Sequence, residues 1–161
     1  MGIDDIEDLR GLGLGDQSRA ALLDAATECT VCFAATDGWP AGVVMSFLVH
    51  EDALWLTAVQ GRAHVRAVQA DPRVTFVITS AGTGLPRQML ALRARIVVHD
   101  DEETRRWFLP AFAQRMAPAD PESFVRLLDS PNRVFFEATE IRVAVSHDST
   151  KMPGDGRGGK A

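Results

Sequence analysis

Cys29-Thr30-Val31-Cys32-Phe33-Ala34-Ala35, then Thr36-Asp37-Gly38-Trp39-Pro40, then the run from Ala41 to Val49 decide the architecture. The outer two pieces are apolar and β-prone. The middle one is a turn, because Asp-Gly supplies the positive φ values that a tight hairpin needs. A second turn at His50-Glu51-Asp52 leads into Ala53-Leu54-Trp55-Leu56-Thr57-Ala58-Val59. This spacing predicts three strands in a meander, antiparallel because connections this short cannot join parallel neighbours.

Downstream the period changes. Across Gly61 to Ala70, Val65 and Val68 share one face while Arg62 and Arg66, four apart, share another, which predicts a short helix. Asp71-Pro72 ends it, and Arg73 to Thr79 reads as a strand. The loop Ser80-Ala81-Gly82-Thr83-Gly84 then leads to a long strand from about Arg87 to Val98, with Arg93 and Arg95 on one of its faces. Asp101, Glu102 and Glu103 open a helix that Pro110 is expected to bend or end, and Asp120-Pro121 starts another. A last β-prone stretch runs from Arg133 to His147. Upstream, Ala20, Leu22, Leu23 and Ala26 give one amphipathic helix from Asp16 to about Glu28. Six strands with few exposed edges predict a mainly β fold, a six-stranded antiparallel β-barrel with flanking helices. Residues 1–15 are expected to form a flexible lead, 16–148 the domain, and 149–161, rich in Gly, a disordered tail.

Composition bounds the function. A chain of 161 residues with 46% hydrophobic and 24% charged residues is one globular domain. Lys and Arg number 17 against 22 Asp and Glu, a net charge of −5, so there is no general basic field for nucleic acid. The start Ile3-Asp4-Asp5-Ile6-Glu7-Asp8 is unlike a secretory signal, and no apolar run is long enough to span a bilayer, which predicts a cytoplasmic protein with no membrane partner. Cys29 and Cys32 are three apart on a strand, so their sulfurs diverge and both read as ordinary buried cysteines. The histidines at 50, 64, 99 and 147 do not cluster, and no metal site is expected. Gly11, Gly13 and Gly15 follow an acidic segment rather than a strand, which removes a dinucleotide loop. No catalytic triad can be assembled, and no residue stands out as an acid or base.

What remains is the passage from Thr57 to Gly61-Arg62-Ala63-His64-Val65-Arg66, where a strand runs into a helix with cations near its start. The N–H groups and dipole of a helix N-terminus favour a phosphate, and Arg62 and Arg66 can add charge-assisted hydrogen bonds. The plainer reading is an exposed basic helix face.

Asp37-Gly38-Trp39-Pro40, the strand after it, Leu56-Thr57, Arg62 to Arg66, Asp71-Pro72-Arg73-Val74 and Arg87-Gln88 follow one another as landmarks do in the pyridoxamine 5′-phosphate oxidase-like, FMN-binding split barrels. The chain resembles that family over roughly Thr27 to Val98, with a more general fit to Val145. The resemblance implies FMN in a cleft between two subunits, and so a homodimer with the cofactor at the subunit interface. It places Val43, Val44, Met45 and Ser46 along the isoalloxazine, Thr57 where a threonine holds the cofactor, and Gln88 where a glutamine contacts the ring. The family's Arg-Lys phosphate pair falls on Ala63-His64. His64 would be a weaker ligand, unless Arg62 or Arg66 takes over the charge. The oxidase's own substrate residues are missing: Arg115-Met116-Ala117-Pro118 stands in place of its helix segment, and Arg142 and His147 are too far apart for its Arg-x-His motif. The expected function is an FMN-dependent oxidoreductase acting on a small molecule other than a B6 vitamer. The alternatives are a deazaflavin-dependent reductase, which would want more basic groups at the cleft, and a non-enzymatic flavin- or haem-binding protein with His50, His64 or His147 as axial ligand.

Overall fold

The Asp-Gly hairpin forms as its sequence dictates. Glu28–Ala34 (β1) pairs antiparallel with Pro40–Ser46 (β2), Ala34 lies opposite Pro40, and Gly38 turns the chain with φ of +87°. The computed structural model describes residues 11–152. The remaining elements are α1 (Asp16–Ala25), β3 (Leu48–His50), β4 (Ala53–Val59), α2 (Ala63–Ala70), β5 (Arg73–Thr79), β6 (Gln88–His99), α3 (Glu102–Met116), α4 (Pro121–Leu128), β7 (Arg133–Asp148) and a 3-10 turn at Ser149–Lys151. All strand pairs are antiparallel, in the order β2-β1-β5-β6-β7-β4-β3.

The fold is thus mainly β and antiparallel with flanking helices, but the sheet has seven strands. Phe47 divides the run expected as one strand from Ala41 to Val49. Its ring is fully buried and its N–H donates to the Thr27 carbonyl at 3.0 Å, after which the chain leaves β2 for β3. Those two strands are the opposite edges of the sheet, so Phe47 is the corner at which the curled sheet brings its edges together.

Val31, Leu56, Phe76, Ile78, Leu90 and Phe136 fill the interior, each at most 1% exposed. Burying a side chain of this kind stabilises by about 1.5–3 kcal/mol. Leu22 of α1 and Val65 and Val68 of α2 join the same core. A second, aromatic cluster of Trp55, Phe108, Leu109, Phe112 and Phe135 packs α3 against β4 and β7. Asp101 caps α3 by accepting from the Thr104 N–H at 2.8 Å. Pro110 neither ends nor removes the helix, which runs on to Met116, because Pro110 lies on its exposed side, where the carbonyl left without a partner can be hydrated.

Arg115 ties three parts together. Its Nη2 donates to the carbonyls of Leu23, Asp24 and Ala26 at 3.3, 2.9 and 2.6 Å, closing the C-terminus of α1, and its guanidinium lies 5.9 Å over the Phe47 ring.

The expected lead and tail fall mostly outside the described residues. The described part of the lead bonds to the end of β7 and to the described part of the tail. Leu14 is buried and its N–H donates to Ser146 Oγ at 2.9 Å, while the Asp148 N–H donates to the Leu12 carbonyl at 2.7 Å. Lys151 Nζ donates to the Gly13 carbonyl at 2.5 Å. No helix among the described residues is long and apolar enough to cross a membrane.

Candidate functional site

Strand β4 ends at Val59, and Gly61, with φ of +89°, turns the chain into α2. Arg62 is the N-cap and makes no side-chain capping bond, so the first-turn N–H groups have no partner within the helix. The Arg66 guanidinium folds back onto the Gly61 carbonyl beside them, and both arginines are exposed. His64 is half-buried between the rings of Phe33 and Phe136, at centroid distances of 6.5 and 6.3 Å. Burial, with Arg62 adding to it, pushes the pKa of its imidazole below the usual histidine range. At neutral pH the positive charge at this helix start is that of Arg62 and Arg66.

Thr57 lies on β4, half-buried, and its hydroxyl donates to the Val134 carbonyl at 2.9 Å. Along β2 the four residues expected against a flavin ring divide between two faces. Val43 and Met45 turn toward the core, and Val44, 67% exposed, shares the outer face with Ser46. Gln88 is buried at the start of β6, where its N–H donates to Ser80 Oγ at 2.8 Å. It lies opposite Asp148, whereas Thr57 lies opposite Phe135, which lies opposite His99. Within one chain, therefore, Thr57 and the α2 arginines follow one another along β4 and the start of α2, and Gln88 stands at the other end of the β6–β7 ladder.

Of the other histidines, His50 stacks on Trp107 at 4.3 Å, His147 pairs with Met89 on the sheet, and His99 lies between Glu137, at 2.7 Å, and Asp101, at 3.6 Å. No group of three or more His, Cys, Asp or Glu among the described residues could hold a metal. Cys29 points inward with its thiol pushed up to about 12, chiefly by burial, and Cys32 lies on the opposite face of β1, so the sulfurs diverge as their spacing predicts.

A groove of about 680 Å³ on the outer face of the sheet is lined by Cys32, Arg73, Arg93, Arg95, Glu140 and Arg142, among others. The shared face of Arg93 and Arg95 was its only local signal.

The family model described as pyridoxamine 5′-phosphate oxidase matches residues 17–144. The chain belongs to the pyridoxamine 5′-phosphate oxidase family. Solved structures similar to this family member include a conserved hypothetical protein from Mycobacterium tuberculosis, 16% identical, covering 85% of this chain and 86% of that one with a TM-score of 0.69. A FAD-binding protein from Mesorhizobium loti is 17% identical, with 83% and 94% coverage and a TM-score of 0.60. The haem storage protein HutZ from Vibrio cholerae is 13% identical, with 80% and 93% coverage and a TM-score of 0.60. Flavin and haem binders thus share this split-barrel fold. No curated protein matches the chain.

Proposed function

We propose that this protein binds FMN, with its phosphate at the start of α2, and acts as an oxidoreductase on a small molecule. The observation that carries this reading is the β4–α2 junction, where Arg62 and Arg66 flank first-turn N–H groups that have no partner within the helix, in a fold that other proteins use for flavin. Such a set suits a phosphate, because aligned N–H groups and guanidinium forks both donate to its oxygens. The flavin, when bound, supplies hydride transfer. The chain orients it along β2 and neutralises its phosphate.

Gln88 reaches the same flavin in this reading only from a second copy, which supports a homodimer with the cofactor between subunits. The outer face supports it too. One register row across five strands reads Val44, Thr30, Val77, Ala91 and Val145, and its end residues Val44 and Val145 are 67% and 52% exposed. Exposed apolar area of this kind marks contact surfaces. The net charge of −5 argues against a nucleic-acid partner, and the reading takes a small-molecule partner and a cytoplasmic protein. Oxidation of a B6 vitamer is not part of the proposal, because Arg115 is committed to the α1 carbonyls and is not free for a substrate phosphate.

The visible spectrum of the freshly purified protein, with mass spectrometry of the released chromophore, separates FMN from a deazaflavin and from haem. Losing either Arg62 or Arg66 should weaken FMN binding by roughly ten- to a hundred-fold, the loss expected for one charge-assisted hydrogen bond, and Arg62→Gln combined with Arg66→Gln should weaken it further, with riboflavin affected far less. Equal loss of both ligands would overturn the α2 phosphate site.

A further inference from the structure

The outer face of the sheet carries a charge arrangement that folding does not favour. Arg93 on β6 lies directly opposite Arg142 on β7, and two residues along, Arg73 on β5 lies directly opposite Arg95. Like charges placed opposite each other on a sheet destabilise it. All four are exposed and line the same groove, in a chain of net charge −5. Compensation is partial: Asp71 holds Arg73 at 2.6 Å and Glu140 comes within 4.0 Å of Arg95, while Arg93 and Arg142 have no ion pair among the described residues. Four cations against two carboxylates leave the groove at +2.

The backbone is shaped to produce this. Thr139 lies opposite Arg95 and Arg142 opposite Arg93, so β7 spends two residues, Glu140 and Ile141, against the single Ala94 of β6. An extra residue reverses the phase of everything beyond it. Without it, the alternation that puts Thr139 on the outer face would turn Arg142 toward the core and Ile141 outward. With it, Ile141 packs on the core and Arg142 joins Arg93 in the groove. The bulge carries strain, because Glu140 sits at φ of +51°, a region that non-glycine residues rarely adopt. Trp39, 74% exposed, stands in the chain between the lining residues Gly38 and Pro40.

We propose that this groove is a binding site for a small diphosphate-type anion, held across Arg93, Arg142, Arg73 and Arg95, and separate from the phosphate site at α2. Guanidinium forks match phosphate oxygens in pairs, and an anion spanning both opposed pairs relieves the repulsion in each. The inference does not rest on the flavin reading, since no α2 residue takes part.

The test is a titration of inorganic pyrophosphate into the full chain at physiological salt, followed by calorimetry and by tryptophan fluorescence. Saturable binding is expected, weakening as salt rises, with a fluorescence change that Trp39→Phe abolishes. Arg93→Gln combined with Arg142→Gln should reduce affinity ten-fold or more, and Glu140→Gln should raise it. The groove variant should be at least as stable as the parent, because it removes an opposed pair, so a circular dichroism melt verifies its fold. Arg62→Gln with Arg66→Gln should leave pyrophosphate binding unchanged, which separates this site from the one at α2. The proposal fails if the parent does not bind pyrophosphate. It also fails if the groove variant binds as well as the parent, or if the α2 variant loses pyrophosphate instead.

Discussion

The two ends of the β6–β7 ladder are held by different forces. Where Gln88 faces Asp148, the contacts are short and polar: Ser80 on the Gln88 N–H, Ser146 on the Leu14 N–H, and Asp148 taking the Thr150 hydroxyl at 2.6 Å. Where His99 faces Phe135, rings do the work, with Phe108 at 5.0 Å from both Phe112 and Phe135, and Trp107 edge-on to Trp55 at 4.8 Å. The aromatic end depends on area and fit, so it responds to truncation of a side chain. The polar end depends on hydrogen bonds to a carboxylate, so it responds to acid.

The sharpest way to break this contrast is Phe108→Ala. The ring is fully buried, and its removal should cost about 3–5 kcal/mol in denaturant unfolding. A loss below about 1 kcal/mol would show that α3 adds little to the fold. Next comes Asp148→Asn at the polar end, expected to cost on the order of 1 kcal/mol at neutral pH. Hydrogen bonding, first from the Thr150 hydroxyl, holds the Asp148 carboxyl below the usual range. The stability this supplies is fully present above about pH 3.9, the unfolded value, and is lost as the pH falls through the lower folded value. Parent and variant should therefore converge in acid, and a gap that persists there would contradict the assignment. The smallest effect belongs to His64, packed on Phe136 beside the aromatic end. Its pKa is lowered by burial, so the folded state resists its proton, and stability should begin to fall as the pH drops below about 6.5. His64→Phe should flatten that slope, and identical slopes would mean that the imidazole is hydrated.

The strands were legible because alternation is local. Val31 and Phe33, or Phe76 and Ile78, announce their face within a few residues. The divergence of Cys29 from Cys32 followed from the same rule. The corner at Phe47 was not legible, since Met45 and Phe47 keep the inward phase that a continuing strand would have, and only the partner of the Phe47 N–H reveals the departure. The bulge before Arg142 escaped for a related reason. A strand read from composition has no count of its partner's residues, so an extra one in β7 is invisible until β6 lies beside it. At the candidate site, Arg62 and Arg66 could be singled out because they are four apart on one helix. The sandwich around His64 draws on β1 and β7, and the arginine groove draws on β5, β6 and the distant β7.

The corner at Phe47 also bears on aggregation. A free sheet edge is a template on which another chain can add a strand. Dividing one long run at Phe47 leaves edges of seven and three residues, β2 and β3, and β2 begins at Pro40, which has no N–H to offer an incoming strand. The residue that lets the sheet curl shut thus also denies runaway fibrils a long, flat edge on which to grow.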